Sequence, residues 1–174
     1  MNFKLGIALV ASASVFATAS YAADGPAYPP LNDGQSVTLP STQFTFQNSG
    51  AKGATPNKGI QYSNVWGDVT KGAHGAFFRF DPGFTSYVHT HTYDYYAVVI
   101  KGELENYKPG ETPVKLGPGS YWYQRGKEKH TTACVSKTPC EIYIVQSEKF
   151  DAQNFPMYQG NYAGLDGCYE LTPV

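Results

Sequence analysis

His89 and His91, separated by Thr90, are the residues of this chain whose type and spacing most clearly promise chemistry. His130 follows about forty positions later, and these are three of only four histidines in 174 residues. The His-x-His pair lies in a run rich in Tyr, Val, Thr and Ile, residues that favour strand. Side chains alternate along a strand, so both imidazoles should project from one face. A divalent transition metal needs several nitrogen, oxygen or sulfur donors converging at about 2 Å. One rigid strand would supply two of them, and a neighbouring strand carrying His130 the third. The rival account makes the three histidines core residues satisfied by backbone carbonyls. Each would then need its own partners, because an unpaired buried polar group costs about 1–3 kcal/mol. One cation would satisfy all three at once. Imidazole ligands suit zinc, copper, iron and nickel. They bind only when deprotonated, so affinity is expected to fall as pH drops towards the unperturbed histidine value of about 6.5 and below.

The elements that must position these residues are short. From Gln61 onward, strand-like runs recur over Gln61–Trp66, Gly75–Phe80, Tyr87–His91, Tyr95–Ile100, Glu103–Tyr107, Ser120–Gln124, His130–Val135 and Glu141–Gln146. Pro82-Gly83, Lys101-Gly102, Pro109-Gly110 and Pro118-Gly119 supply turns between them. No stretch of ten residues carries helical periodicity. Many short strands with such punctuation predict an all-β, double-sheet jelly roll in a single domain. Upstream, Phe44 and Phe46 alternate with polar residues as a half-buried strand would, and residues 24–40 read as a proline-rich extended arm. The expected division is a signal peptide over residues 1–22, an arm and first strand over 23–58, and a barrel over 59–174.

The leader reading rests on Lys4, the apolar run Leu5–Ala17 and the small residues of Ser20-Tyr21-Ala22. That apolar core is too short for a membrane anchor, which needs about twenty residues. Cleavage between Ala22 and Ala23 would leave 152 residues (174 less 22), destined for a periplasm or secretion. Thirteen basic against 14 acidic residues, with no Lys/Arg cluster, argue against a nucleic-acid partner. A small-molecule ligand in the barrel is the expected partner, and a homodimer is compatible with the chain. Cys134 and Cys140 flank a five-residue loop of hairpin length, a spacing that lets two cysteines meet. An oxidising compartment would preserve that bond. Cys168 is then left unpaired or replaces one partner, and Cys134 as a free thiol facing the site is the alternative.

Two further readings concern aromatic and polar residues around the motif. Tyr93, Tyr95, Tyr121 and Tyr123 have the parity to line one interior, with Tyr96 and Trp122 opposite, as in a small-molecule pocket. Ordinary sheet packing explains the same residues. His74, in Lys71-Gly72-Ala73-His74-Gly75, is expected in a turn at the surface. Signatures of nucleophilic hydrolases, phosphate-binding loops and His-Glu-x-x-His metalloproteases are absent.

Gly83, five residues, His89-x-His91, then Tyr95 and Gly102 resemble the first motif of the cupin superfamily in all but one residue. The stretch Gly119 to His130 resembles the second motif. The likeness covers about Trp66 to Asp151. Trp66-Gly67-Asp68, Asp94 to Gly102 and Lys129 to Cys134 are further similar to the small ChrR-like cupins, a branch containing anti-sigma-factor sensor domains. The resemblance implies a jelly-roll barrel with His89, His91 and His130 as metal ligands, and zinc as the metal. Departures are specific. The family's carboxylate ligand falls on Tyr95, the second motif's proline on Arg125, its following glycine on Lys127 with Gly126 one place early, and its last polar residue on Cys134.

The fourth ligand position is therefore open between Tyr95, Asp94 and water. Tyr95 shares parity with the histidines, but a phenol ligates poorly until ionised. Asp94 has better donor atoms and the wrong parity, so a β-bulge would have to turn it inward. Two function classes follow. One is a metal-dependent enzyme of hydrolase or oxygenase type acting on a small molecule. The other is a non-catalytic binding or stress-sensing cupin. The absence of an anti-sigma domain, together with export, argues against direct transcriptional regulation.

Overall fold

The computed structural model describes residues 36–155. Ten strands run through them, with no α-helix: β1 (Gln47–Asn48), β2 (Ile60–Gly67), β3 (His74–Phe80), β4 (Val88–Thr90), β5 (Tyr95–Lys101), β6 (Leu104–Tyr107), β7 (Tyr121–Gln124), β8 (Thr131–Cys134), β9 (Cys140–Gln146) and β10 (Gln153–Phe155). The larger sheet has the order β1-β2-β3-β9-β5-β7, and β10 pairs with β4 as β6 pairs with β8. Bridges Thr85–Ala133 and His89–His130 stitch the two pairs into one opposing face. The result is the jelly roll expected from the spacing of turns, and all eight anticipated strands form within about a residue of their predicted ends.

Alternation places the core. On β3 the alternate residues His74, Ala76, Phe78 and Phe80 are buried, and opposite them on β9 stand Gln146, Ile144, Ile142 and Cys140. Tyr95, Ala97 and Val99 of β5 close the same interior. Each fully buried large apolar side chain is worth about 1.5–3 kcal/mol. The interior is graded along these strands. Phe80, Cys140, Val99 and Leu104 make one end apolar, while His74, Gln146, Gln124 and Tyr95 make the other end polar. The polar end receives the histidines.

Cys134 and Cys140 form the expected disulfide, with Cα atoms 5.8 Å apart, and both are buried. Gly102 beside it adopts φ +80°, and a Cβ there would lie 2.8 Å from Cys140 Sγ. Only glycine satisfies both conditions. Residues 1–22 and Cys168 lie outside the described residues.

Several expectations need correction. Phe44 and Phe46 are not in a strand. A 3-10 turn over Ser41–Gln43 precedes them, and only Gln47 and Asn48 pair with β2. The two rings cover the outer face of the sheet instead, Phe44 against Phe77 at 4.9 Å and Phe46 beneath the Arg79 guanidinium at 3.6 Å. His74 is not at the surface: it opens β3 fully buried, where pairing with Gln146 turns it inward. The aromatic parity also differs. Trp122 faces in with Tyr95, whereas Tyr93, Tyr121 and Tyr123 face solvent. The reason is register, since Tyr95 pairs with Gln124 and Ala97 with Trp122, and cross-strand partners share a face. β10 was not anticipated at all. Its three residues are exposed and carry no apolar alternation.

Candidate metal centre

Two of the three histidines meet through backbone pairing. His89 N–H donates to the His130 carbonyl at 2.9 Å, and His130 N–H returns the bond to His89 at 3.0 Å. The bridge holds the two rings 4.2 Å apart, and His91, one step beyond β4, adds a third ring 4.8 Å from His89 and 5.1 Å from His130. One ligand atom from each lies within 4.8 Å of the others, and all three residues are buried.

Each ring is oriented through Nδ1. His89 uses the Tyr87 carbonyl at 2.9 Å, His130 the Glu128 carbonyl at 3.1 Å, and His91 the Asp151 carbonyl. A carbonyl can only accept, so Nδ1 carries the proton and Nε2 keeps its lone pair. That tautomer is the one a metal-binding histidine needs. His130 Nε2 is fully buried and has no hydrogen-bond partner. Three neutral imidazoles with converging lone pairs, one of them orphaned, fit a metal ion.

Burial sets the protonation state. Desolvation, then repulsion from His89, brings His91 down to about 4, and desolvation with repulsion from His89 and His91 brings His130 down to about 3. Desolvation lowers His89 as well. Within the folded protein, the proton competition expected at about pH 6.5 and below is moved towards the acid end by burial.

The candidates for a fourth ligand separate cleanly. Asp94 is exposed, and its carboxylate accepts bonds from the Tyr123 hydroxyl at 2.5 Å and from Gly126 N–H at 2.7 Å. It stays outside the histidine group. Tyr95 is buried with its ring 5.1 Å from His91. Its oxygen accepts a bond from Trp122 Nε1 at 3.3 Å, and burial raises its pKa far above the usual phenol value. Beyond it a polar chain crosses the barrel: Thr132 Oγ1 donates to Asn106, and Asn106 Nδ2 to Gln124.

The loop that brings His130 into place explains where this chain departs from its motif. Lys127 N–H donates to the His91 carbonyl at 2.7 Å, and Lys127 holds φ +63°. Gly126 passes so close to the His91 side that a Cβ would stand 2.7 Å from the Thr92 carbonyl. The glycine is spent where space is lacking, and lysine accepts the left-handed conformation at a cost of about 1–2 kcal/mol.

Sequence reasoning missed the segment after β9. Phe150 packs its ring on His91 at 4.7 Å, on Phe78 at 4.9 Å and on Tyr95 at 6.0 Å. Asp151 supplies the His91 acceptor. Neither residue lies in a recognisable pattern, although an isolated aromatic–acid pair just past the last barrel strand was the available signal. His74, edge-on to Phe150 at 6.4 Å, is not a member of the histidine group.

The cupin domain family matches residues 76–146. Among solved structures, the polyketide cyclase RemF from Streptomyces resistomycificus aligns with a TM-score of 0.56 at 14% identity, covering 72% of this chain and 89% of that one. A sugar phosphate isomerase of the cupin superfamily from Silicibacter pomeroyi aligns at 0.55 with 17% identity over 70% and 83%. A predicted oxalate decarboxylase from Thermotoga maritima aligns at 0.51 with 15% identity over 64% and 99%. No curated protein sequence matches significantly. These likenesses show the fold and leave the activity and the ChrR-like branch unassigned. The motifs, the jelly roll and the family match agree on one conclusion: residues 76–146 of this chain form a cupin domain.

Proposed function

We propose that this protein is an exported metal-binding cupin in which His89, His91 and His130 hold one divalent transition-metal ion through Nε2, next to a site for a small molecule. The observation that carries this reading is the orphaned, fully buried Nε2 of His130 beside two histidines in the same tautomer. An ion held by His89, His91 and His130 would supply Lewis-acid chemistry, the activation of a bound water included. Three protein ligands, with water completing the coordination, would resemble catalytic rather than closed structural sites. Zinc is the leading candidate, on the donor set and the ChrR-like motif segments, with iron, copper and nickel as alternatives. Tyr95, a neutral phenol bonded to Trp122, serves this site as a neighbour that fixes the barrel wall rather than as the fourth ligand.

Hydrolase or oxygenase chemistry on a small molecule is the favoured use, and binding or sensing without turnover is the second. The second is supported by the Phe150 ring, which packs directly on His91. Elemental analysis of protein purified without a metal-affinity tag tests the shared premise. One ion per chain is expected in wild type and little in His91→Ala or His130→Ala, and equal content in all three would refute it. Iron or copper in the recovered protein favours oxygenase chemistry, and zinc favours hydrolysis or binding. A thermal-shift screen of small metabolites on metal-loaded protein then searches for the ligand.

Export is supported by the leader composition and by the Cys134–Cys140 bond, which persists in an oxidising compartment. N-terminal sequencing should find Ala23 first, and a cytoplasmic product retaining Met1 would refute it.

A further inference from the structure

Two of the three histidines are oriented by backbone two residues away, and the third is not. The acceptors for His89 and His130 are carbonyls two residues upstream, Tyr87 and Glu128. Both contacts are local, made by the backbone leading into each histidine. His91 instead relies on the carbonyl of Asp151, sixty residues away in sequence. That carbonyl has no freedom to wander. The Asp151 carboxylate accepts bonds from Thr92 N–H at 2.8 Å and from Thr92 Oγ1 at 2.5 Å, pinning the segment to the residue that follows the ligand. On one flank Phe150 N–H donates to the Val69 carbonyl at 2.8 Å. On the other flank β10 pairs with β4, Gln153 opposite Thr90 and Asn154 opposite His89.

From this geometry we propose that Asp151 is the positioning residue of the metal centre: its grip on Thr92 fixes the carbonyl that orients His91. The proposal rests on the three-histidine reading given above. It divides the site into a pair, His89 and His130, prepared by the barrel itself, and a third ligand supplied in its working orientation only when the segment after β9 is docked. Because that segment also carries Phe150 against the His91 ring, loosening it both uncovers the site and weakens the hold on His91. Access for a small molecule and retention of the ion are thereby coupled through one short stretch of chain.

Cobalt(II) serves as the probe, since its visible absorption reports ligand number and geometry directly. Full-length processed protein is loaded with cobalt, and affinity by chelator competition, release rate and spectrum are recorded for wild type, Asp151→Ala, Asp151→Asn and Thr92→Val. Loss of a partner that orients a metal ligand typically lowers affinity by about 10–100-fold, and that range is expected for Asp151→Ala, with faster release and an altered cobalt spectrum. Asp151→Asn should recover most of the affinity, because its amide oxygen still accepts from Thr92 N–H and its amide nitrogen can donate to Thr92 Oγ1. Thr92→Val keeps one of the two bonds and should fall between them, and it carries the test alone where Asp151→Ala does not fold. A lower melting temperature with unchanged release rate and spectrum in Asp151→Ala and Thr92→Val would make the contact merely structural and overturn the proposal. A wild-type protein that takes up no cobalt would overturn the metal reading itself, a result distinguishable from the first.

Discussion

Acidification of the metal-free protein offers a quantitative test of the buried histidines. Their folded-state pKa values lie below the unperturbed 6.5, at about 4 for His91 and about 3 for His130. Between pH 6.5 and pH 4 the unfolded chain therefore binds protons that the folded chain refuses. Stability is fully present above 6.5 and declines as pH falls through this window, because the unfolded state binds more protons there. One pKa unit corresponds to about 1.4 kcal/mol, so His91 alone accounts for about 3 kcal/mol by pH 4. His130 contributes a similar amount over the same interval. Together they approach the lower part of the 5–15 kcal/mol that holds an ordinary domain folded. His74 and His89 are lowered too and add in the same direction. Denaturant unfolding of the chelator-treated protein at half-unit steps from pH 7 to pH 4.5 gives the slope directly. That range stays mostly above carboxylate titration, which simplifies the reading. About two or more protons should be taken up on unfolding near pH 5, and His130→Gln should lower that number by about one. Uptake of less than one proton near pH 5 would mean that these imidazoles are solvated, and the buried site described here would be wrong. Saturating zinc should restore stability across the window, by about 2.7 kcal/mol at a hundredfold excess over its dissociation constant.

Three further outcomes follow from single contacts. Tyr95→Phe leaves the buried Trp122 Nε1–H without its acceptor and should cost about 1–3 kcal/mol in chemical denaturation while leaving metal content unchanged; a loss of bound metal would instead make the phenol a ligand. Lys127→Gly should stabilise the protein by about 1 kcal/mol by relieving the left-handed residue next to the site, and a melting temperature that fails to rise would show that the strain is illusory. Cys134→Ser should destabilise by an amount near the low end of about 2–4 kcal/mol, since the bond closes only a six-residue separation. Non-reducing peptide mapping of wild type checks the pairing, and a peptide joining Cys168 to either partner would contradict it.

Strand periodicity, turn residues and the His-x-His spacing are local properties of the chain, and local physics was enough to read them. The jelly roll, the eight strands of its barrel, the Cys134–Cys140 bond and the grouping of His89 and His91 were legible because each depends on neighbours within a few positions. Side-chain facing was legible along one strand and failed between strands. Tyr95 and Trp122 share the interior through a cross-strand register that no single run of residues encodes. The same holds for His74, turned inward by its pairing with Gln146. β10 was invisible because exposed residues pair there through backbone alone, with no apolar pattern to mark them. Above all, the orientation of His91 by Asp151 joins residues sixty positions apart. The sequence determined which atoms could bind a metal. Only the folded chain decided which nitrogens keep their lone pairs, because burial sets the protonation state and carbonyls, local for His89 and His130 but distant for His91, set the tautomer.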